Sequence, residues 1–215
     1  MDPLFKKKDV LIVDYGVGNY LSVINALKFL GYQFLVSNKK EDIEGARAYI
    51  LPGVGAFGEA MQNLKQLAIV ETLTEQVIVH KKPILGICLG MQLFAEDSEE
   101  KGFHEGLGWM KGHVVEIKHK GDLRVPHVGW NSLKITKRDP LFVRTTTEPH
   151  FYFDHSYHFR CKAEYISATC HYGDEITAAI QKDNIFGVQF HPEKGQNNGL
   201  KFFRGFFHSL ESWKN

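Results

Sequence analysis

The chain has 215 residues and a net charge of +1, with 43% apolar and 24% charged residues. That length suits one domain, or two at most, and the balance is ordinary for a soluble globular protein. The near-zero charge argues against the concentrated basic surface that nucleic-acid binding needs, and no apolar run approaches the ~18–20 residues of a membrane span. The one dense basic run, Lys6-Lys7-Lys8, reads as solvated. The apolar stretch behind it stops at Asp14, too short for the core of a signal peptide, so no leader is expected. Cys88, Cys161 and Cys170 are odd in number and form no C-x-x-C. That fits a reducing, cytoplasmic compartment better than a disulfide scaffold. Cys170-His171 and the scattered histidines lack metal-ligand spacing, so no metal site is expected; no cofactor is expected either.

In chain order, DVLIVD (9–14) reads as a buried strand. Asn19 can cap the helix YLSVINALKFLG, which carries apolar residues at helical spacing and ends at Gly31. QFLVS (33–37) and AYIL (48–51) are short strands, residues 57–80 hold one or two helices, and PILGI (83–87) is another buried strand. An amphipathic helix is expected after it, then a charged surface loop, EDSEEK (96–101). Strands alternating with helices predict parallel β-α-β units with helices on both faces. The second half differs: HVVEIKH, SLKIT, FYFDHSYHF, YISATCHY, TAAIQ and FGVQF are short strands separated by turn residues. A last helix, roughly 198–212, would cover the end with Leu200, Phe203, Phe206, Phe207 and Leu210. The reading is one α/β domain over residues 1–215, with a mainly parallel central sheet flanked by helices and added antiparallel strands.

Three segments carry chemistry. Gly86-Ile87-Cys88-Leu89-Gly90 follows a strand and opens a helix, the cysteine counterpart of the nucleophile elbow G-x-S-x-G. A tight turn needs small residues two positions either side of the nucleophile. The helix start directs free N–H groups and a positive dipole end at the thiol, favouring the attacking thiolate. The Leu89 N–H lies where an oxyanion would form. Read alone, the pentapeptide also suits a buried structural cysteine beside loop glycines. A thiolate nucleophile needs a base, and the base an orienter. FGVQFHPE (186–193) delivers His191 at a strand end, and Pro192 holds it out of the helical region. In an extended segment His191 and Glu193 face the same way, so the carboxylate can hold the imidazole. The third segment is LPGVGAF (51–57), where Gly53 and Gly55 would let the backbone around Val54 approach a ligand as a second oxyanion donor. It also reads as a common Gly-rich strand-to-helix turn.

GICLGMQL together with FGVQFHPEKG resembles the catalytic segments of class I glutamine amidotransferases. LPGVGAF, VPHVGWN (125–131) and FYFDHSYHF (151–159) resemble those of its HisH branch, the glutaminase subunits of imidazole glycerol phosphate synthase. The similarity runs from DYGVGN (14–19) to the last helix. It implies a flavodoxin-like α/β sandwich with a Cys88-His191-Glu193 triad that hydrolyses glutamine through a γ-glutamyl thioester. Gly53, Val54 and Leu89 would form the oxyanion hole, and Gln92, Ser156 and Tyr157 would bind the glutamine backbone groups. It also implies a (β/α)₈-barrel cyclase partner of the HisF type, forming a heterodimer for histidine biosynthesis. Asn19, Trp130, Asn131 and Lys194 would lie near that interface, though a Trp between Gly129 and Asn131 can equally anchor a core. One departure stands out: the branch usually carries Ser after HPEK, and here Gly195 takes its place. That keeps open a paralogue supplying ammonia to a surface-polysaccharide sugar amidotransferase, and more remotely a non-catalytic binding subunit. A dinucleotide module at DYGVGNYL is disfavoured, because the third glycine and the acidic residue of that fingerprint are missing.

Overall fold

A computed structural model describes residues 9–118, 121 and 123–211. The basic run at 6–8 and the end of the last predicted helix at 212 lie outside the described residues, as does His119. The elements in chain order are β1 (Val10–Val13), α1 (Tyr20–Phe29), β2 (Leu35–Ser37), α2 (Lys40–Gly45), β3 (Ala48–Gly53), α3 (Phe57–Gln66) and α4 (Val70–Thr74), which runs into a π-helical turn at Glu75–Val79. Then come β4 (Ile84–Cys88), α5 (Leu89–Gln92), β5 (Asp97–Ser98), β6 (His104–Glu105), β7 (Gly112–Glu116), β8 (His127–Ser132), β9 (Lys134–Ile135), β10 (His150–His155) and β11 (Tyr157–Cys161). β12 (Ile166–Tyr172), β13 (Asp174–Lys182), β14 (Ile185–Val188) and α6 (Gln196–Leu210) complete the chain.

The main sheet has the order β2-β1-β3-β4-β14-β13-β12-β9. It is parallel from β2 to β14 and antiparallel from β14 to β9. The continuous apolar character of β1, β3 and β4 has a simple cause: both faces are covered. The side-chain alternation of a strand sorts their residues into two cores. Val10, Ile12, Ala48, Ile50, Leu85 and Ile87 join α1 and α6 on one side, whereas Leu11, Val13, Tyr49, Leu51 and Ile84 join α3 and α4 on the other. α6 buries Phe202, Phe203, Phe206, Phe207 and Leu210, each contributing ~1.5–3 kcal/mol by leaving water.

Three expectations need correction. The helix after Cys88 is a single turn, and all four of its residues are buried, so it is not amphipathic. Leu107, Gly108 and Met110 donate backbone N–H groups to the carbonyls of Leu93, Ala95 and Phe94, drawing the chain away before a second turn forms. The segment 96–101 is not simply a surface loop: Asp97–Ser98 form β5, and Ser98 is fully buried. FYFDHSYHF breaks at Ser156 into two strands of different sheets, β10 pairing with β8 and β11 with β7.

Candidate active site

β4 lies at the centre of the sheet between β3 and β14, parallel to both. Open parallel sheets present ligand sites at the carboxyl ends of such strands. Cys88 is the last residue of β4 and adopts φ +54, ψ −112, a backbone state that non-glycine residues occupy rarely and chiefly at functional sites. The crowding explains the flanking glycines. A Cβ on Gly90 would stand 1.8 Å from the Leu51 carbonyl oxygen, and one on Gly86 would stand 2.7 Å from the Gly90 carbonyl carbon and oxygen and the Met91 nitrogen.

On the adjacent strand, the chain leaves β14 and brings His191 to the same end. Its backbone N–H donates to the Tyr152 carbonyl at 2.8 Å, and the side chain is buried. His191 Nδ1 lies 2.7 Å from Glu193 Oε1. The reason differs from the extended segment expected from sequence: Pro192–Lys194 form a 3-10 turn that folds the carboxylate back onto the ring. Burial alone pulls the His191 pKa down. Hydrogen bonds to Cys88 and Glu193, reinforced by the charges of the same two groups, outweigh it and hold the imidazole up at about 10. Glu193 Oε2 is buried without a hydrogen-bond partner among the described residues.

A cavity of about 290 Å³ opens over this pair. Cys88, Leu89, His191, Val54, Gln92, Ser156, Tyr157, Asn19 and Lys194 line it, so nine of the residues singled out from sequence meet there. Gly53 sits beneath, paired in register with Cys88. A Cβ on it would stand 2.5 Å from the Tyr15 hydroxyl, itself buried with no partner among the described residues. Val54 is 40% exposed, and Gly55 has φ +99. Asn19 caps α1, its side chain accepting from the Ser22 N–H at 3.4 Å. Trp130 and Asn131 lie away from the cavity on β8. Trp130 is 50% exposed and meets Tyr152 edge-on, which excludes the core-anchor alternative. The Lys194 ammonium lies 4.5 Å from the centroid of the same Tyr152 ring.

Sequence reasoning missed three groups. Glu100 lines the cavity and accepts from the Phe57 N–H at 2.8 Å; its position inside an acidic run concealed it. Gln189 is fully buried, and its Nε2–H donates to the Cys88 sulfur at 3.6 Å. The alternation of a strand signals it, since it stands two residues before His191. His155 lines the cavity; its Nδ1 lies 2.9 Å from the Tyr157 carbonyl and its Nε2 lies 3.0 Å from His127 Nδ1. Burial drives the pKa of His155 to about 3 and that of His127 to about 4, so both imidazoles are neutral. The carbonyl makes His155 Nδ1 a donor, and His127 Nδ1 then donates to His155 Nε2.

The family model for class-I glutamine amidotransferases matches residues 11–210. The chain belongs to that family. Within it, the chain is 48% identical to an imidazole glycerol phosphate synthase subunit HisH 1 of Campylobacter jejuni strain 81-176, covering 92% of this chain and 98% of the relative. It is 49% identical to a subunit HisH 2 of Vibrio vulnificus, covering 92% of each. A HisH subunit of Listeria monocytogenes is 44% identical over 92% of this chain and 94% of that one. These likenesses put this amidotransferase in the HisH branch. Its fold is shared with a crystal structure of a glutamine amidotransferase, at TM-score 0.71 and 20% identity over 94% of this chain and 98% of the other. A PurLQS structure from Thermotoga maritima superposes with TM-score 0.71 at 19% identity over the same shares. The flavodoxin-like sandwich with added antiparallel strands expected from sequence is the arrangement found.

Proposed function

We propose that the chain is the glutaminase subunit of an imidazole glycerol phosphate synthase of histidine biosynthesis, with Cys88, His191 and Glu193 as its triad. The observation that carries the reading is the strained Cys88 at the head of β4 beside the buried His191–Glu193 pair. Cys88 Sγ attacks the side-chain amide carbon of glutamine. His191, oriented by Glu193, takes the thiol proton and returns it to the departing ammonia. The tetrahedral oxyanion lies between the Leu89 N–H and a backbone N–H of the Gly53–Val54 segment. Water then cleaves the γ-glutamyl thioester and releases glutamate and the thiol. Gln92, Ser156 and Tyr157 hold the glutamine backbone groups, and the Glu100 carboxylate on the cavity wall suits the α-ammonium. Both cores belong to one sheet, which supports reading the chain as a single amidotransferase domain. The unpaired cysteines support a cytoplasmic setting.

The ammonia goes to a HisF-type (β/α)₈-barrel cyclase docked over β8 and the cavity mouth, with Asn19, Trp130, Asn131 and Lys194 at the contact. In support, Val128 and Trp130 point the same way from β8 and are 53% and 50% exposed. A second reading has one observation in its favour. The Campylobacter and Vibrio relatives carry the numbers 1 and 2, and numbering implies organisms with more than one such subunit. In that reading the ammonia serves a surface-polysaccharide sugar amidotransferase. The test is glutamate release from glutamine with and without the organism's HisF-type barrel carrying its nucleotide ligand, with Cys88→Ala as control. A large Cys88-dependent rise supports the histidine-pathway subunit. No rise, with Cys88 still labelled by a glutamine-analogue electrophile, transfers the reading to the sugar pathway.

A further inference from the structure

Gln189 takes no part in the triad and does not line the cavity, yet its amide is fully buried against the nucleophile. Which end of an amide faces a sulfur is decided by its other bonds, and here they decide it. The Tyr157 carbonyl can only accept. It receives Gln92 Nε2–H at 2.9 Å, and the same Gln92 nitrogen donates to Gln189 Oε1 at 2.9 Å. Gln189 Oε1 is thereby an acceptor, and its Nε2 is left to donate to Cys88 Sγ. Turning Gln189 over would set its NH₂ against that of Gln92. Turning both would set the Gln92 oxygen against the Tyr157 carbonyl.

We infer that Gln189 is a positioning residue for Cys88: its oriented amide N–H holds the sulfur toward the substrate and stabilises it as the thiolate before and between attacks. The inference rests on the glutaminase reading for its consequence in turnover, but its physical content concerns the thiol alone. A hydrogen bond to a charged group is about twice as strong as one to a neutral group, so the amide favours the ionised sulfur over the thiol. Other titratable groups face Cys88 too: His191 backed by Glu193, Tyr15, and on the cavity wall His155, Asp154, Glu100 and Lys194. The test therefore compares variants in which all of these are kept.

Gln189→Met removes the donor at nearly constant volume. Gln189→Glu keeps an oxygen for Gln92 and, ionised above neutral pH, sets a carboxylate in place of the N–H toward sulfur, so that charge repulsion adds to the lost hydrogen bond. In the full-length protein, the rate of Cys88 alkylation by iodoacetamide is measured against pH, with Cys88→Ala to subtract Cys161 and Cys170. Glutamate release is measured in parallel, with thermal midpoints to confirm folding. The expected result is a roughly tenfold to hundredfold slower alkylation at pH 7 in Gln189→Met, the worth of one hydrogen bond to a charged group, and at least that loss in Gln189→Glu, where the carboxylate also opposes the thiolate, with the pH midpoint moved upward in both. In Gln189→Glu, kcat should fall by the same factor while KM stays within about twofold, because Gln189 does not touch substrate. A merely structural role would lower the thermal midpoint without moving the pH midpoint. Alkylation within about twofold of wild type, at an unchanged pH midpoint, in either folded variant overturns the inference. Iodoacetamide reads the sulfur whether or not glutamine is the substrate. A wild-type protein with normal alkylation but no glutamate release would thus refute the glutaminase reading alone.

Discussion

Gly90→Ala is the most demanding test of how this site is built. A Cβ there would stand 1.8 Å from the Leu51 carbonyl oxygen and 2.8 Å from its carbon. Restoring ordinary contact means opening α5 from β3 by about 1.5 Å in an interior packed like a crystal. Neither side can yield cheaply. β3 is clamped by β1 and β4 on its two edges, and α5 is covalently continuous with the elbow. Overpacking ordinarily costs ~1–3 kcal/mol; against immobile backbone the loss should reach the top of that range. For a chain of this size that is a fall of about 6–12 °C in the thermal midpoint. The displacement also separates Cys88 from Gly53, and an error of about 1 Å in such a constellation costs ~10²-fold in rate. The assay is glutamate release beside differential scanning fluorimetry, with Gly45→Ala as control. Gly45 closes α2, and a methyl there meets nothing within 4 Å, so that change should leave activity intact and the fold equal or slightly more stable. A Gly90→Ala protein with wild-type rate and midpoint would refute the steric account of the elbow.

Four further outcomes are expected. Glu193→Gln keeps an acceptor for His191 Nδ1 but removes the charge, and glutamine turnover should fall ~10²–10⁴-fold. Because the folded pKa of His191 is raised from 6.5 to about 10, its contribution to stability is complete below about 6.5 and disappears as pH rises through 10. The urea-midpoint gap between wild type and Glu193→Gln should therefore be widest near pH 6.5 and close toward pH 10; a gap that grows with pH contradicts the assignment. The buried pair works in the opposite direction: His127 and His155 fall to about 4 and about 3 in the folded chain, so the unfolded chain binds more protons below pH 6.5. Stability should drop as pH falls from about 6.5 toward 4, less steeply in His155→Gln, and a flat profile in wild type would show that the pair is not held neutral. Tyr15→Phe deletes a buried hydroxyl without a partner among the described residues and should be neutral or stabilising by about 1 kcal/mol; a clear loss in the thermal midpoint would reveal a hydrogen bond. Gly195→Ser places a Cβ 3.0 Å from Gly199 Cα and from Phe151 Cδ1, so it should cost about 1 kcal/mol with turnover little changed; a stabilised variant would mean that α6 packs more loosely than described.

The elbow was legible because its cause is local. Small residues at positions 86 and 90 are what a sharp turn around position 88 requires, and the requirement is written within five residues. His191 and Glu193 were legible for the same reason, although the carboxylate reaches the ring through a 3-10 turn and not along an extended strand. The core faces of α6 and β1 followed from periodicity. What period cannot express is which segment pairs with which. Residues 151–159 read as one strand, yet pairing with two separate partners splits them at Ser156. Glu100 stayed hidden because its neighbours Glu96, Asp97 and Glu99 are acidic too, and only the fold of β5 turns this one carboxylate toward the cavity.

The chain of amides and imidazoles around the Tyr157 carbonyl has a direction. Asn131 Nδ2 lies 3.3 Å from His127 Nε2 and donates to the His171 carbonyl at 3.0 Å, while its oxygen accepts from the Ser132 N–H. At the exposed end, then, the sense of donation is imposed by main chain, as it is at the Tyr157 carbonyl. Between two such fixed points no single member can reverse without setting N–H against N–H. The arrangement behaves like a zip and not a row of switches: it holds one reading, or it parts.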